Sequence, residues 1–469
     1  MVVQHNISAM NANRMLGITQ GSLAKSTEKL SSGYKVNRAA DDAAGLSISE
    51  KMRKQIRGLD QASANAEDGI SAVQTAEGAL TEVHDMLQRM NELAVKASNG
   101  TMSADDRQTV QDEVDQLLTE IDRVSETTKF NETYLLKGDT ADKTYKLSAK
   151  DAGLAGKLVE GSTTATFTVS ALKVGDTVSI GGKDYTIGAD KATVKGSLDT
   201  AKLTMKAGSQ VTLNGTQYTI VADKKDDDDS KNLISQETLL KRVDGDKITS
   251  VKYAGKTYNV LKNNAAGTKD DNDSSIITAE TAYDYMAKEL ILANNVGCTE
   301  NDGNATKAAA NSKDAANNDV RTFTITKGTA KTKEDLNFSL HVGADADMTN
   351  KIGVKISSLD TTGLGIAGLN VKDSTGAAAT YAIDSIADAV AKVSAQRSSL
   401  GAVQNRLEHT IKNLDNVVEN TTSAESQIRD TDMADEMVKY SKNNILQQAG
   451  QSMLAQANQS NQGVLSLLG

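Results

Sequence analysis

The sequence predicts an α+β multidomain fold: a long antiparallel α-helical coiled-coil bundle built from both ends of the chain, with a β-rich inserted outer region. Three observations predict it. Apolar residues recur at heptad spacing through both outer thirds of the 469 residues. Proline, which breaks helices by removing a donor and clashing with the preceding turn, is absent. The composition also shifts near residues 140 and 375, from Ala, Leu, Gln, Asn and Glu outside to Thr, Gly, Asp and Lys between.

The extreme ends carry no charge. Residues 1–13 and 443–469 contain no Asp, Glu, Lys or Arg. Both show helical apolar spacing, with Ile7, Met10 and Leu16 at one end and Ile445, Ala449, Met453 and Ala457 at the other, closing in Val464, Leu465, Leu467 and Leu468. Uncharged helices can be enclosed by other protein without stranding a buried charge. Alone, each hides too little surface to offset its ordering entropy. The pattern predicts helices that order when neighbouring subunits enclose them, with these apolar residues as polymerisation contacts.

Residues 31–46, rich in Gly, Asp and Ser, separate this first pattern from a longer one over roughly 45–98. There Val73, Leu80, Leu87 and Ala94 repeat every seven residues, as do Ala76, Val83, Met90 and Ala97, the a/d seam of a coiled coil. Asn99-Gly100 is a C-terminal stop and Ser103 an N-cap for a second helix carrying Val110, Val114, Leu117, Ile121 and Val124. The short connection predicts an antiparallel hairpin. Val393, Leu400, Leu407, Leu414, Thr421 and Ile428, with Val403, Val417 and Ala424, supply a third helix from the other end. At about 1.5 Å per residue, such helices reach on the order of 75 Å. The expected division is residues 1–44 with 430–469 as terminal helices and link, 45–139 with 376–429 as the coiled-coil rod, and 140–375 as a variable insertion of one or two domains.

The insertion holds a threefold repeat. Val178–Ile187, Val211–Ile220 and Val251–Val260 each alternate apolar and polar residues around a Gly-containing centre, a β-hairpin signature. Asp226–Asp229 reads as a solvated loop, with calcium capture as the alternative. A helix is predicted near 279–295, from Thr278 as cap to Gly297 as stop.

Several function classes are excluded or disfavoured. A net charge of −10 without a basic cluster argues against nucleic acid. His5, His84, His341 and His409 stand apart, and no H-E-x-x-H pair, phosphate loop, Rossmann fingerprint or nucleophile elbow is present. No catalytic, cofactor or metal site is expected. The single Cys298 permits no intramolecular disulfide. The N-terminus lacks the basic start and apolar run of a signal peptide, and no stretch is long and apolar enough to span a bilayer.

The run Leu30-Ser31-Ser32-Gly33-Tyr34-Lys35-Val36-Asn37-Arg38-Ala39-Ala40-Asp41-Asp42-Ala43-Ala44-Gly45-Leu46 resembles the signature of bacterial flagellins. Ile7–Ala12, Leu400–Leu407 and Asn458–Leu465 are similar to theirs as well, so the resemblance covers about the first 138 and last 95 residues. It implies a subunit that self-assembles into an extracellular filament, with Asn37, Arg38, Asp41, Asp42 and Gly45 in a spoke joining inner and outer helices. It further implies passage through the flagellar type III export apparatus, a cytoplasmic export chaperone at the C-terminal segment, and filament cap and hook-junction proteins as partners. A second implied function is recognition by the host innate immune flagellin receptor, through Gln88, Arg89, Glu92 and Leu93 with Glu113; the same residues suit a contact between subunits. In the family an Arg commonly stands where this chain has Asn91. The alternatives are a hook–filament junction protein and an adhesin acting through the insertion.

Overall fold

The computed structural model describes residues 6–189, 191–200, 207–244, 247–253, 256–261, 269–270, 273–314, 316–373 and 375–468. Among them lie helices α1 (Ile7–Ser32), α2 (Ala43–Ser98), α3 (Ala104–Thr127), α4 (Lys191–Thr200), α5 (Gln236–Asp244), α6 (Ala279–Asn294), α7 (Thr361–Leu364), α8 (Ala377–Arg429) and α9 (Met433–Leu468); every strand lies between residues 129 and 356. Contacts divide the chain into two bodies. One contains the chain up to Ser71, Phe338–Val354 and everything from Ala402; the other contains Ala72–Asn337 and Lys355–Gly401.

In the first body α1 pairs with α9, and the early part of α2 pairs with the late part of α8. Ala66, Leu407, Val342 and Ile352 form a small core there. Val342 and Ile352 come from a hairpin of strands Leu336–His341 and Lys351–Ile356. It lies flat because α2 presents small residues to it. A β-carbon at Gly58 would stand 3.0 Å from that of Ala344, and one at Gly69 would collide with Leu340. Asn65 Nδ2 adds a hydrogen bond to the His341 carbonyl (3.0 Å). The sequence reading places residues 338–354 in the insertion, but their contacts are with the helices. Val417, expected on the seam, is exposed in this body.

In the second body α2 and α3 form the predicted hairpin. All eight residues of the two series from Val73 to Ala97 are fully buried. Each of the larger ones contributes about 1.5–3 kcal/mol relative to exposure. Ser103 and Asp106 cap α3 reciprocally. The buried Arg107 closes the corner, donating to the carbonyls of Ala97, in the last turn of α2, and of Asn99 just beyond it (both 3.1 Å). Val393 and Leu400 of α8 are fully buried in the same body, and Arg397 pairs with Glu77 of α2 at 3.8 Å.

The insertion builds two cores. Phe167, Tyr283, Met286, Leu290 and Phe323 centre the first, between α6 and an antiparallel sheet of strands 304–307, 319–326, 164–170 and 157–160. Thr278 caps α6 as predicted, and Gly297 follows it at φ 83°. Val194, Val211, Leu239 and Val251 centre the second, where α4 and α5 back a sheet ordered 233–235, 216–221, 210–213, 250–253, 256–259.

The three repeats are three hairpins in one register: Val178 opposes Tyr185, Val211 opposes Tyr218, and Val251 opposes Tyr258. Gly181-Gly182 and Asn214-Gly215 turn with both residues at positive φ, as a two-residue hairpin loop requires. Ala254-Gly255, the third turn, lies outside the described residues. Two hairpins gain a parallel strand, with Ile234 beside Ile220 and Ile277 beside Ile187, which the sequence reading did not anticipate. An isolated hairpin is marginal in water; a third strand and a helix on one face give it a core.

One buried cation opposes this packing. Lys150 is 8% exposed; its backbone exchanges two hydrogen bonds with the Asn294 carboxamide (both 2.9 Å), and its ammonium donates to Ser385 Oγ. Burial pulls that ammonium down to about 8. Because the folded value lies below the unfolded one near 10.5, the charge costs stability below about pH 8, and the cost is relieved as pH rises towards 10.5. Lys150→Met should therefore stabilise the second body at pH 7, by at most about 3 kcal/mol, with the gain shrinking above pH 10. Thermal unfolding at pH 7 and pH 10.5 checks this; a destabilised variant at pH 7 would refute it.

Candidate assembly interface

The chain's first and last long helices meet antiparallel. Asn6 caps α1 by accepting from Ala9 N–H (3.0 Å) and donates from Nδ2 to the Ala457 carbonyl (3.1 Å). Leu16 lies against Gly450, where a β-carbon would approach its Cδ1 to 3.3 Å. Ser26 bonds Glu436. The more buried residues follow alternating steps of three and four on both helices: Ala9, Ala12, Leu16, Thr19, Leu23, Ser26 and Leu30 on α1, and Glu436, Tyr440, Asn443, Gln447, Gly450, Leu454 and Ala457 on α9. That is a coiled-coil seam made largely of small and polar side chains. Burial acts to raise the Glu436 carboxyl, but hydrogen bonds from Ser26 and Lys439 outweigh it and hold the group below the usual carboxylate range.

Leu16, Leu23, Leu30 and Leu454 lie on that seam, but most of the other large apolar side chains point away from it. Ile7, Met10, Ile445 and Met453 are each more than 60% exposed, and Met15, Ile18, Met433, Met437 and Val438 are exposed too. Leu16, expected with them, is turned by heptad spacing towards α9. The side chains of Val464, Leu465, Leu467 and Leu468 lie outside the described residues.

The predicted spoke is a folded corner. Asn37 Nδ2 donates to Ser32 Oγ (2.7 Å), Arg38 pairs with Glu28 (2.8 Å), Asp41 accepts from Arg38 N–H (3.1 Å), and Asp42 accepts from Gly45 N–H (2.9 Å) at the start of α2. The break between α8 and α9 is zipped to it. Lys35 N–H donates to the Arg429 carbonyl (2.6 Å), and Thr431 N–H to that of Gly33 (2.9 Å). The Arg429 guanidinium sits 4.5 Å from the Tyr34 ring centroid and pairs with Glu50 at 3.1 Å. Sequence reading missed Tyr34 and Arg429, since nearly 400 positions separate them and neither breaks a local pattern.

In the other body, the outward face of the α2–α3 hairpin carries one charge cluster. Arg89 donates from Nε to Glu113 (2.9 Å) and from Nη1 to Glu92 (3.2 Å), and Gln88 contacts His84 Nε2 (2.9 Å). The hydrogen bond it donates to Glu113, then that to Glu92, raises the Arg89 guanidinium further above its ordinary value. Leu93, by contrast, is buried at 3% exposure and does not share the open surface of Gln88, Arg89 and Glu92. A helix with neighbours on two sides buries a wider arc than the a/d stripe, and Leu93 falls within it.

Acidic residues elsewhere are spent locally. Asp227 accepts from Ser235 and Thr238, Asp228 from Ser230, and Asp229 pairs with Arg242. Among the described residues no group of three His, Cys, Asp or Glu could hold a metal ion, and no helix is long and apolar enough to cross a membrane.

Comparison with known proteins agrees with this arrangement of ends. The family models for the bacterial flagellin N-terminal helical region and C-terminal helical region match residues 3–141 and 383–468. The chain is 38% identical to a flagellin of Clostridium tyrobutyricum, over 98% of this chain and all of that one. The chain belongs to the bacterial flagellins. It is also 35% identical to a Bacillus subtilis flagellin, over the full length of both, and 35% identical to flagellin B of Vibrio cholerae, over all of this chain and 99% of that one. This flagellin is a structural subunit of the flagellar filament, a polymer of its own kind, in a family not known to be enzymatic. Identity along the whole length favours that role over a hook–filament junction protein or an adhesin.

Removing the Arg429 side chain should loosen the zipped corner. In Arg429→Ala, the amides of Lys35 and Thr431 should exchange with solvent at least tenfold faster, while those at the centre of α3 stay unchanged. Unaltered exchange at both amides would show that the backbone pairing holds the corner alone.

Proposed function

We propose that polymerisation of this flagellin is driven by the outward apolar face of its terminal helices. The observation that carries the reading is the exposure of Ile7, Met10, Ile445 and Met453 on helices whose mutual seam is largely small and polar, with four leucines. Neighbouring subunits cover that face, so both helices gain most of their burial on assembly. The uncharged ends fit this, because enclosing them strands no charge. Val464, Leu465, Leu467 and Leu468 add apolar residues to the same uncharged end of the sequence. Residues 1–44 with 430–469 act as the assembling part, 45–139 with 376–429 as the rod, and 140–375 as the insertion, except that the 338–354 hairpin belongs with the rod. Asn37, Arg38, Asp41, Asp42 and Gly45 fix the angle between assembling helix and rod.

The same reading makes the protein a secreted, extracellular filament component. Export proceeds unfolded through the type III apparatus, which a chain without disulfides suits. A chaperone covers the C-terminal apolar face until export, and addition occurs under the cap after the hook-junction proteins. The monomer is also a ligand of the innate immune flagellin receptor through Gln88, Arg89, Glu92 and Glu113, whose exposure supports the reading.

Seeded polymerisation tests the assembly reading. The intact chain should form long filaments, and a variant ending at Asn443 should form none; filaments from both would refute it. For the receptor, Arg89→Ala should weaken binding about tenfold by removing two charge-assisted hydrogen bonds. Leu93→Ala should act through lost stability alone. Undiminished binding by Arg89→Ala would remove that site.

A further inference from the structure

Within the second body, a cavity of about 430 Å³ opens between the strands Asp142–Lys146 and Thr329–Lys333, the segment 357–363, and the face of α8 that carries Lys392 and Gln396. Its size falls within the range of small-molecule sites. The filament role leaves it unused.

Lys392 is the unusual member of its wall. Its ammonium donates to the Gly363 and Leu364 carbonyls (3.1 and 3.0 Å) and stands 4.8 Å from the Tyr145 ring centroid. Those bonds use two of its three N–H donors. Among the described residues no carboxylate forms an ion pair with it; Asp388 acts on it only through space. Burial therefore leaves a cation whose direct partners are dipoles, with Asp388 acting only at a distance, and lowers its ammonium below the ordinary lysine value.

The rest of the wall adds to the imbalance. Lys143 and Lys333 also line the cavity, against Asp335 as its one carboxylate. Asp335 is shared, lying 2.8 Å from Lys355 and 3.8 Å from Lys143, while Lys333 is held at 2.7 Å by Asp142. Three ammonium groups thus face one carboxylate in the lining. Between them stand neutral hydrogen-bonding groups, notably Thr332, Ser357 and Gln396. No Arg fork lines the cavity, which distinguishes it from sites that grip phosphate bidentately.

We propose that this cavity binds a hexuronate unit, a sugar ring bearing one carboxylate. The carboxylate takes the free N–H of Lys392 and supplies a direct counter-charge, with Lys143 as the second cation. The ring hydroxyls exchange hydrogen bonds with Thr332, Ser357 and Gln396. The neutral parent sugar lacks the group that Lys392 requires.

Calorimetric titration of the full-length monomer at fixed ionic strength tests the proposal. The probes are D-glucuronate, D-glucose, inorganic phosphate and a glucuronate-terminated oligosaccharide. Glucuronate should bind saturably at one site, with glucose at least tenfold weaker and phosphate no tighter than glucose. Lys392→Met should weaken glucuronate about tenfold or more, the loss expected for a charge-assisted hydrogen bond, and Lys143→Met by a smaller factor. Tighter binding of the oligosaccharide would place the natural ligand at a glycan end, and equal binding would point to the free sugar acid; both support the site. Circular dichroism checks that each variant folds, and Lys143→Met with Gln396→Ala carries the test should Lys392→Met fail to. No saturable glucuronate binding, unchanged affinity in the folded variants, or phosphate binding as tight as glucuronate would overturn it.

Discussion

The antiparallel meeting of the two chain ends is the constraint on which the rest depends. α1 can pair with α9, and α2 with α8, only if the intervening chain returns to where it left. Everything between is free to vary so long as it closes that loop. Loop-closure cost grows slowly with length, so a long insertion weighs little against the helical seams it spans. The absence of proline serves the same end, because a single one inside α2 or α8 would remove a hydrogen bond and kink a helix of more than 50 residues.

The two seams differ in composition, and the proposed assembly rests on that difference. Around α2 and α3 the buried positions are mostly Leu, Val, Ile, Met and Ala, with Arg107, Gln111 and Ser125 among the polar exceptions. Between α1 and α9 they are Ala, Thr, Ser, Asn, Gln and Gly, with Leu16, Leu23, Leu30 and Leu454 as the larger contributors. Ordering each residue costs about 1–2 kcal/mol of backbone entropy, which such a seam offsets poorly. The strongly apolar residues of these helices are turned outward instead. Under the proposed function, a subunit built this way keeps its rod folded alone and holds its assembly energy in reserve for contact with its own kind.

Much of this was legible in the sequence, for reasons that can be named. The heptads from Val73 to Ala97 report their burial because a coiled coil repeats one local environment. The hairpins announce themselves through alternation about a Gly turn, and Thr278 and Ser103 through capping chemistry. What stayed hidden depends on distant partners. The hairpin at 338–354 settles on α2 because Gly58, Ala62, Ala66 and Gly69 are small, and small residues give no pattern of their own. The pairing of Tyr34 with Arg429 joins opposite ends of the chain. Spacing marks Leu16 as apolar without saying which neighbour covers it, and Leu93 enters the receptor stretch by resemblance, which carries no statement of burial. The cavity beside Lys392 gathers residues from four separate segments, none distinctive by itself.

Hydrogen exchange across α1 and α9, compared between monomer and filament, tests the central claim most directly. The account predicts rapid exchange through residues 7–32 and 433–459 in the monomer and strong protection in the filament, with the α2–α3 hairpin protected in both. Equal protection of the terminal helices in monomer and filament would contradict it, because their order would then owe nothing to assembly.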